Sequence, residues 1–254
     1  MDQNKNLIPK VLHYCWLSGD PYPRKIRKCL DTWRRVMPDY RLRLWDMSSF
    51  DIESVPFVAE AVKARKWAFA ADYIRMHALY TEGGIYLDSD VKILKRFDNF
   101  LDNDFFSSVE HHPTQMERDG AYAVIDSEGH RTANAYVSGM QIQAAVMGAR
   151  PGNAFVKDVL DWYADKHFIL PDGTMALDPV SPQIYARLAE PYGYLYVDRD
   201  MKLDAGIRIY PSETFAGNRH EATSRSYAIH LCAHSWHATP SEKVRAFVNR
   251  LMGR

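Results

Sequence analysis

Two aspartates one residue apart, Asp88 and Asp90, follow the apolar run Ile85-Tyr86-Leu87 and precede Val91-Lys92-Ile93-Leu94. Like charges at the end of a buried strand repel each other, and desolvation penalises both. A divalent cation removes that conflict, and Mg²⁺ or Mn²⁺, which prefer oxygen ligands, suits a carboxylate pair. Mg²⁺ sites usually complete their shell with substrate phosphates, so a diphosphate-bearing substrate is the natural ligand. Strand alternation sends Asp88 and Asp90 to one side and Ser89 to the other. In open α/β folds, ligands bind at the carboxyl ends of the strands. The plain alternative is a solvated Asp-Ser-Asp turn between two strands.

Two further groups could share that chemistry. Asp72 and Arg75 stand at i, i+3 in a helical pattern, so they occupy one face. On the surface such a pair contributes under about 1 kcal/mol. At the mouth of the same cleft, Arg75 would meet phosphate and Asp72 would meet hydroxyls. Near the C-terminus, His230, His234 and His237 fall within eight residues. Histidine is a common transition-metal ligand and suits Mn²⁺, although hydrogen-bonded structural histidines cluster in the same way.

The elements that must position these residues follow from periodicity. "KVLHYCW" reads as a first buried strand, and "YRLRLWD" alternates as a second. Between them, Ile26, Cys29, Leu30, Trp33 and Met37 recur at helical spacing until Pro38 ends the helix. The pattern from Pro56 to Thr81 is helical throughout, and Glu82-Gly83-Gly84 stops it with a glycine suited to the left-handed cap. "IYL" and "VKIL" are strands on either side of the aspartates. "DFFSSVE", "YAVI", a segment ending near Gly148, "LYVD", "IRIYP" and "YAIHLCAHSW" are further strand candidates. Phe155, Val159 and Trp162 stripe a helix, and "SPQIYARLAE" is another. Alternating strands and helices predict an α/β fold, a mostly parallel sheet with helices on both faces.

Composition bounds the class. The 254 residues hold 32 Lys plus Arg and 32 Asp plus Glu. That balance argues against bulk nucleic-acid binding, which draws its affinity from a basic field. Cys15, Cys29 and Cys232 lack the spacing of a zinc site and suit a reducing compartment. No apolar leader and no run of about 20 apolar residues is present. The expectation is a soluble, cytoplasmic protein.

Four blocks, "IPKVLHYCWLSG", "CLDTWRRVMPDYRLRLWD", "AFAADYIRMHALYTEGGIYLDSDV" and "YAIHLCAHSW", give the chain a family likeness. It resembles the DXD-containing sugar-nucleotide glycosyltransferases: bacterial capsular-polysaccharide transferases, the yeast initiating mannosyltransferase (family 32-like) and, more distantly, the clostridial glucosylating toxins. The resemblance implies one GT-A-type nucleotide-diphosphosugar transferase domain over residues 1–254, built on a single mixed, mostly parallel sheet. It makes Asp88 the contact to sugar and ribose, and Asp90 the metal ligand. Asp72 and Arg75 would hold donor sugar and phosphate, while Tyr14 and Trp16 would pack on the nucleoside. His230 would be a C-terminal metal ligand with His234 as its competitor, and Trp236 would close over the diphosphate. The implied activity is transfer of a hexose from a UDP- or GDP-linked sugar to a saccharide or lipid-linked acceptor in polysaccharide or glycan biosynthesis. It would depend on Mn²⁺ or Mg²⁺ and retain the anomeric configuration. Residues 111–136 and "DPVSP" depart from the family pattern, on the acceptor side.

Two other readings compete. A haloacid-dehalogenase-like, Mg²⁺-dependent phosphatase also follows an apolar strand with two spaced aspartates, but on its first strand. A catalytically dead nucleotide-sugar-binding module would need the same contacts. The last helix, from about Ser241 to Leu251, stripes Val244, Phe247, Val248 and Leu251 beside several cations. It would either pack on the domain or lie on the inner face of an anionic membrane.

Overall fold

The computed structural model describes residues 7–232. Strand β1 (Val11–Cys15) leads to helix α1 (Arg24–Val36) and strand β2 (Arg41–Trp45). Helices α2 (Pro56–Lys63) and α3 (Trp67–Thr81) then run into β3 (Gly84–Leu87) and β4 (Val91–Ile93). Next come β5 (Phe105–His111), α4 (Pro113–Arg118), β6 (Met140–Ile142), β7 (Val146–Ala149), α5 (Ala154–Tyr163) and α6 (Ser181–Ala189). Short strands finish the described chain: β8 (Met201–Lys202), β9 (Ile207–Tyr210), β10 (Phe215–Ala216) and β11 (Ala228–His230). No helix among the described residues is long and apolar enough to cross a membrane.

The main sheet has eight strands in the order β2-β1-β3-β7-β5-β9-β8, with β6 paired to β5. β2, β1, β3, β5 and β9 run one way, while β7, β8 and β6 oppose them. The expected mixed, mostly parallel α/β sheet is therefore present. A second sheet of three strands, β10-β11-β4, stands beside it, so the expectation of a single sheet is incomplete.

Alternation divides the core. β3 is buried on both faces. Its Ile85 and Leu87 join the apolar cluster under α1, and Tyr86 joins the one under α2, α3, α5 and α6. Helices thus cover both faces of the sheet, as parallel strands require.

Several expected elements take other forms. The segment from Pro56 to Thr81 is two helices. At the break, Arg65 takes a left-handed φ of 57°, its N–H donates to the Val62 carbonyl, and the Lys66 N–H donates to that of Ala61. That is a Schellman ending. "YAVI" belongs to a short 3₁₀ turn at Ala121–Val124, launched by Gly120 at a φ of 67°. "LYVD" joins no strand ladder; Tyr196 N–H reaches across to the Gly129 carbonyl instead.

Candidate active site

Helix α3 ends where β3 must begin, and two glycines make the corner. The Gly83 N–H donates to the Leu79 carbonyl with Gly83 at a φ of 62°, a left-handed cap closing the helix. Gly84 has a φ of 106°, and a Cβ there would stand 2.8 Å from the Val11 carbonyl and 3.0 Å from the His13 ring. A side chain would push β3 off β1. His13 holds the corner from below. Trp45 Nε1 donates to His13 Nδ1 at 3.0 Å, so Nε2 carries the proton and donates to the Gly83 carbonyl at 2.7 Å. Burial lowers the His13 pKa to about 4, which keeps this tautomer neutral.

Past Leu87 the chain turns. The Val91 N–H donates to the Asp88 carbonyl at 2.9 Å, closing a turn over Ser89 and Asp90. The two carboxylates converge through this turn, not through extended alternation, because only Asp88 prolongs the line of β3. On the facing strand β11, His230 pairs with Val91. One ligand atom each from Asp88, Asp90 and His230 lies within 4.8 Å of the others. His230 Nε2 is 3.2 Å from Asp90 Oδ1 and 3.8 Å from Asp88 Oδ2. Two carboxylate oxygens and an imidazole nitrogen suit a divalent cation, and the nitrogen favours Mn²⁺ over Mg²⁺. Burial opposes charge on His230, but its hydrogen bond to Asp90 and the charges of both aspartates outweigh that and raise its pKa. Metal binding would therefore displace a proton.

Behind this cluster, Arg75 is 4% exposed and Asp72 is 8% exposed, so they are not a surface ion pair. Arg75 Nη2 lies 3.2 Å from Asp72 Oδ1 and 3.4 Å from Asp88 Oδ1. Its Nη1 donates to the Ala144 carbonyl at 3.0 Å and its Nε to that of Ala71 at 3.3 Å. Every guanidinium nitrogen thus has a protein partner. Arg75 lies between the Asp72 and Asp88 carboxylates. Burial opposes the Arg75 charge, but Tyr86, Asp88 and Asp72 outweigh it and the group stays cationic. Asp72 Oδ1 also accepts from Ser181 Oγ at 2.8 Å. Burial nevertheless raises the Asp72 pKa to about 6, against the Arg75 charge and the Ser181 hydroxyl.

Three participants are not among the expected site residues. Tyr86 donates its hydroxyl to Asp88 Oδ1 at 3.0 Å and lies under Arg75, with the guanidinium 4.9 Å from its ring centre. Ser181 arrives from 109 positions away. The break between β6 and β7 supplies the Ala144 carbonyl to Arg75 and the Ala145 carbonyl to the Asp88 N–H. Of these, Tyr86 alone was findable, as the residue two before Asp88 on the same strand face.

Tyr14 is 6% exposed, its ring edge-on to Trp33 and its hydroxyl 3.3 Å from that of Tyr22. It has little exposed surface. Trp16 is half-buried, tilted against Tyr22, and tied through Nε1 to the Asp20 carbonyl at 2.7 Å. It is the more exposed of the two. His234, His237, Trp236 and the expected last helix lie outside the described residues.

Residues 23–107 match the family described as glycosyltransferase sugar-binding region containing DXD motif. A mannosyl phosphorylinositol ceramide synthase of Saccharomyces cerevisiae, CSH1, is 29% identical over 160 residues, covering 55% of this chain and 40% of that protein. An initiation-specific alpha-1,6-mannosyltransferase of Schizosaccharomyces pombe is 31% identical over 108 residues, covering 39% of this chain and 26% of that protein. The chain thus spans less than half the length of these curated relatives. Among solved structures, the PaToxG glycosyltransferase aligns over 73% of this chain and 70% of its own, at 15% identity and a TM-score of 0.48.

Proposed function

We propose that this chain, which carries the sugar-binding region of the DXD-containing glycosyltransferases, is a hexosyltransferase. It moves a hexose from a UDP- or GDP-linked sugar to a saccharide or lipid-linked acceptor in glycan biosynthesis. The observation that carries this reading is the convergence of Asp88, Asp90 and His230 at the end of β3, with both aspartates inside the matched residues 23–107.

Each residue's task follows from its surroundings. Asp90 and His230, with Asp88, would hold Mn²⁺ or Mg²⁺, and that ion would supply positive charge to the diphosphate as it leaves. Asp88 is held by the Tyr86 hydroxyl and by Arg75, which leaves its other oxygen, the one nearer His230, to face the cleft. Arg75 and Asp72 are positioning residues, since neither offers much surface to a ligand. Trp16 would stack on the base. The anomeric carbon gains oxocarbenium character as the bond to phosphate breaks. The reading includes retention at that carbon, checked by NMR of the product anomer.

The reading is tested by thermal shift with a panel of nucleoside-diphosphate sugars, with and without Mn²⁺. One donor is expected to stabilise the protein only with metal, and Asp90→Ala to abolish the effect. A panel with no metal-dependent shift overturns it. The phosphatase alternative would require Asp88 to act as a nucleophile, yet one of its oxygens is already committed to Tyr86 and Arg75. Release of nucleoside diphosphate from the donor without acceptor separates the enzyme from a dead binding module.

A further inference from the structure

One face of the β5–β6 pair collects polar groups that the site described above does not use. Glu110 pairs directly with Gln141. Gln143 stands opposite Ser108, its N–H donating to the Ser108 carbonyl at 2.9 Å. Opposed and alternate residues share a face of a sheet, so Ser108, Glu110, Gln141 and Gln143 point the same way. Ser108, Gln141 and Gln143 are buried. Among the described residues, six buried side-chain polar atoms have no hydrogen-bond partner, and three of them are here: Ser108 Oγ, Gln141 Oε1 and Gln143 Oε1. Each such atom is a cost to the fold that calls for a reason.

Glu110 is the member of this face that opens to solvent, its side chain 22% exposed. Its Oε1 accepts from His112 Nε2 at 3.0 Å and from Gln141 Nε2 at 3.3 Å. The carboxylate thereby sets the Gln141 amide, nitrogen toward Glu110 and oxygen away. Among the described residues no group donates to Glu110 Oε2, so one oxygen is clamped and the other is open. The position is that of the site. β3 and β5 both run opposite to β7, and Gly84 and Phe105 both pair with Ala149, so Glu110 comes out at the same end of the sheet as Asp88. Contacts then lead to the cation cluster. A Cβ at Gly217 would stand 3.7 Å from His112 Cε1, the Gly217 carbonyl accepts from Cys232 Sγ at 3.3 Å, and that sulfur lies 3.6 Å from His230 Nδ1.

The open atoms of this face are acceptors. Amide and carboxylate oxygens can only accept, and the Ser108 hydroxyl can do either. A phosphate would bring more acceptors and a like charge, and the one cation at hand, His112, is already spent on Glu110. The complement is a neutral ligand rich in hydroxyls. We propose that Glu110 Oε2 accepts a hydrogen bond from a hydroxyl of a substrate saccharide, with His112 and Gln141 holding the carboxylate for it. The inference rests on the transferase reading and adds a specificity-determining residue to it. The hydroxyl could belong to the hexose being moved or to the saccharide that receives it, and a carboxylate recognises both in the same way.

The test compares wild type with Glu110→Ala and with Glu110→Gln, which keeps the shape and removes the charge. Affinities are measured by titration calorimetry with Mn²⁺ present. The ligands are UDP and GDP, then UDP-glucose, UDP-galactose and GDP-mannose, then the methyl glycosides of the same three hexoses added to the nucleoside diphosphate complex. Both variants are expected to bind one sugar-bearing ligand about 10- to 100-fold more weakly, the worth of one hydrogen bond to a charged group. The bare nucleoside diphosphate should bind as it does to wild type. Weakening of a nucleotide sugar identifies the moved hexose as the source of the hydroxyl; weakening of a methyl glycoside alone identifies the acceptor. Unchanged affinity for every sugar overturns the proposal. Equal weakening of the bare nucleoside diphosphate overturns it too, because loss of a merely structural ion pair would do that. Metal-dependent donor hydrolysis by the wild type is measured in parallel. If it is present while the variants change no sugar affinity, the role of Glu110 fails and the transferase reading stands. If it is absent while a glycoside binds in a Glu110-dependent way, the transferase reading alone fails.

Discussion

Asp72→Asn should make the protein less sensitive to pH, and the size of the change follows from the site. Burial raises the Asp72 carboxyl from 3.8 to about 6. A carboxyl whose folded pKa exceeds its unfolded value binds its proton more tightly when folded. Stability therefore rises as pH falls from above 6 toward 3.8, and the charged form is a cost at neutral pH. Between about pH 7.5 and about pH 5 the wild type should gain on the order of 1 kcal/mol from this group alone. Asparagine keeps the shape, and its carbonyl can still accept from Ser181, but it does not titrate. The difference in stability between wild type and variant should therefore move by that amount in the wild type's favour on acidification. In a chain of this length it is worth about 2–4 °C of melting temperature. Paired thermal or urea melts across the pH range measure it. His13 titrates in the opposite sense but is present in both proteins, so it cancels in the difference. Parallel curves would show that the buried charge is not the cost that its burial implies, and the reasoning about this site would fail.

Ser181→Ala removes a hydrogen bond that lowers the Asp72 pKa, so the same inflection should move upward in pH; an unmoved inflection in the melts would contradict that bond. Gly84→Ala forces a side chain onto the Val11 carbonyl and should cost about 2–4 kcal/mol by urea denaturation, with a near-neutral result refuting the close approach. His13→Leu strands the Trp45 indole N–H and the Gly83 carbonyl, at about 1–3 kcal/mol each. Its melts should also lose the acid destabilisation that the wild type develops as pH falls from 6.5 toward about 4. Trp16→Ala should weaken nucleotide binding by about 1–3 kcal/mol, read by titration calorimetry; unchanged affinity would remove Trp16 from the base platform.

The parts of the site carried by local pattern were legible. The stop at Gly83-Gly84, the apolar strand before Asp88 and the carboxylate pair all sit within one short segment. Periodicity likewise marked α1, α5, α6 and the strands nearest the site. What escaped has a common physical cause. The Arg65 break uses a left-handed conformation without glycine, so no residue type announced it. Arg75 donates to the Ala144 carbonyl, 69 positions away, and Asp72 accepts from Ser181, 109 positions away. Whether a charged pair is exposed or buried depends on such distant partners, and helical spacing is silent about them. The burial of Tyr14 has a related cause: a residue at a strand end can face Trp33 as readily as solvent.

The turn over Ser89 and Asp90 is also where the chain leaves the eight-stranded sheet and enters the three-stranded one. Asp88 extends β3, His230 closes β11, and Asp90 sits at the crossing between them. An ion gripped by all three would act as a rivet through two independently hydrogen-bonded plates. Loading it would then be felt mechanically along the seam. Amide exchange in β4 and β11 should slow while the middle of the large sheet is unaffected, so the small sheet would serve as the protein's own gauge of whether its cation is in place.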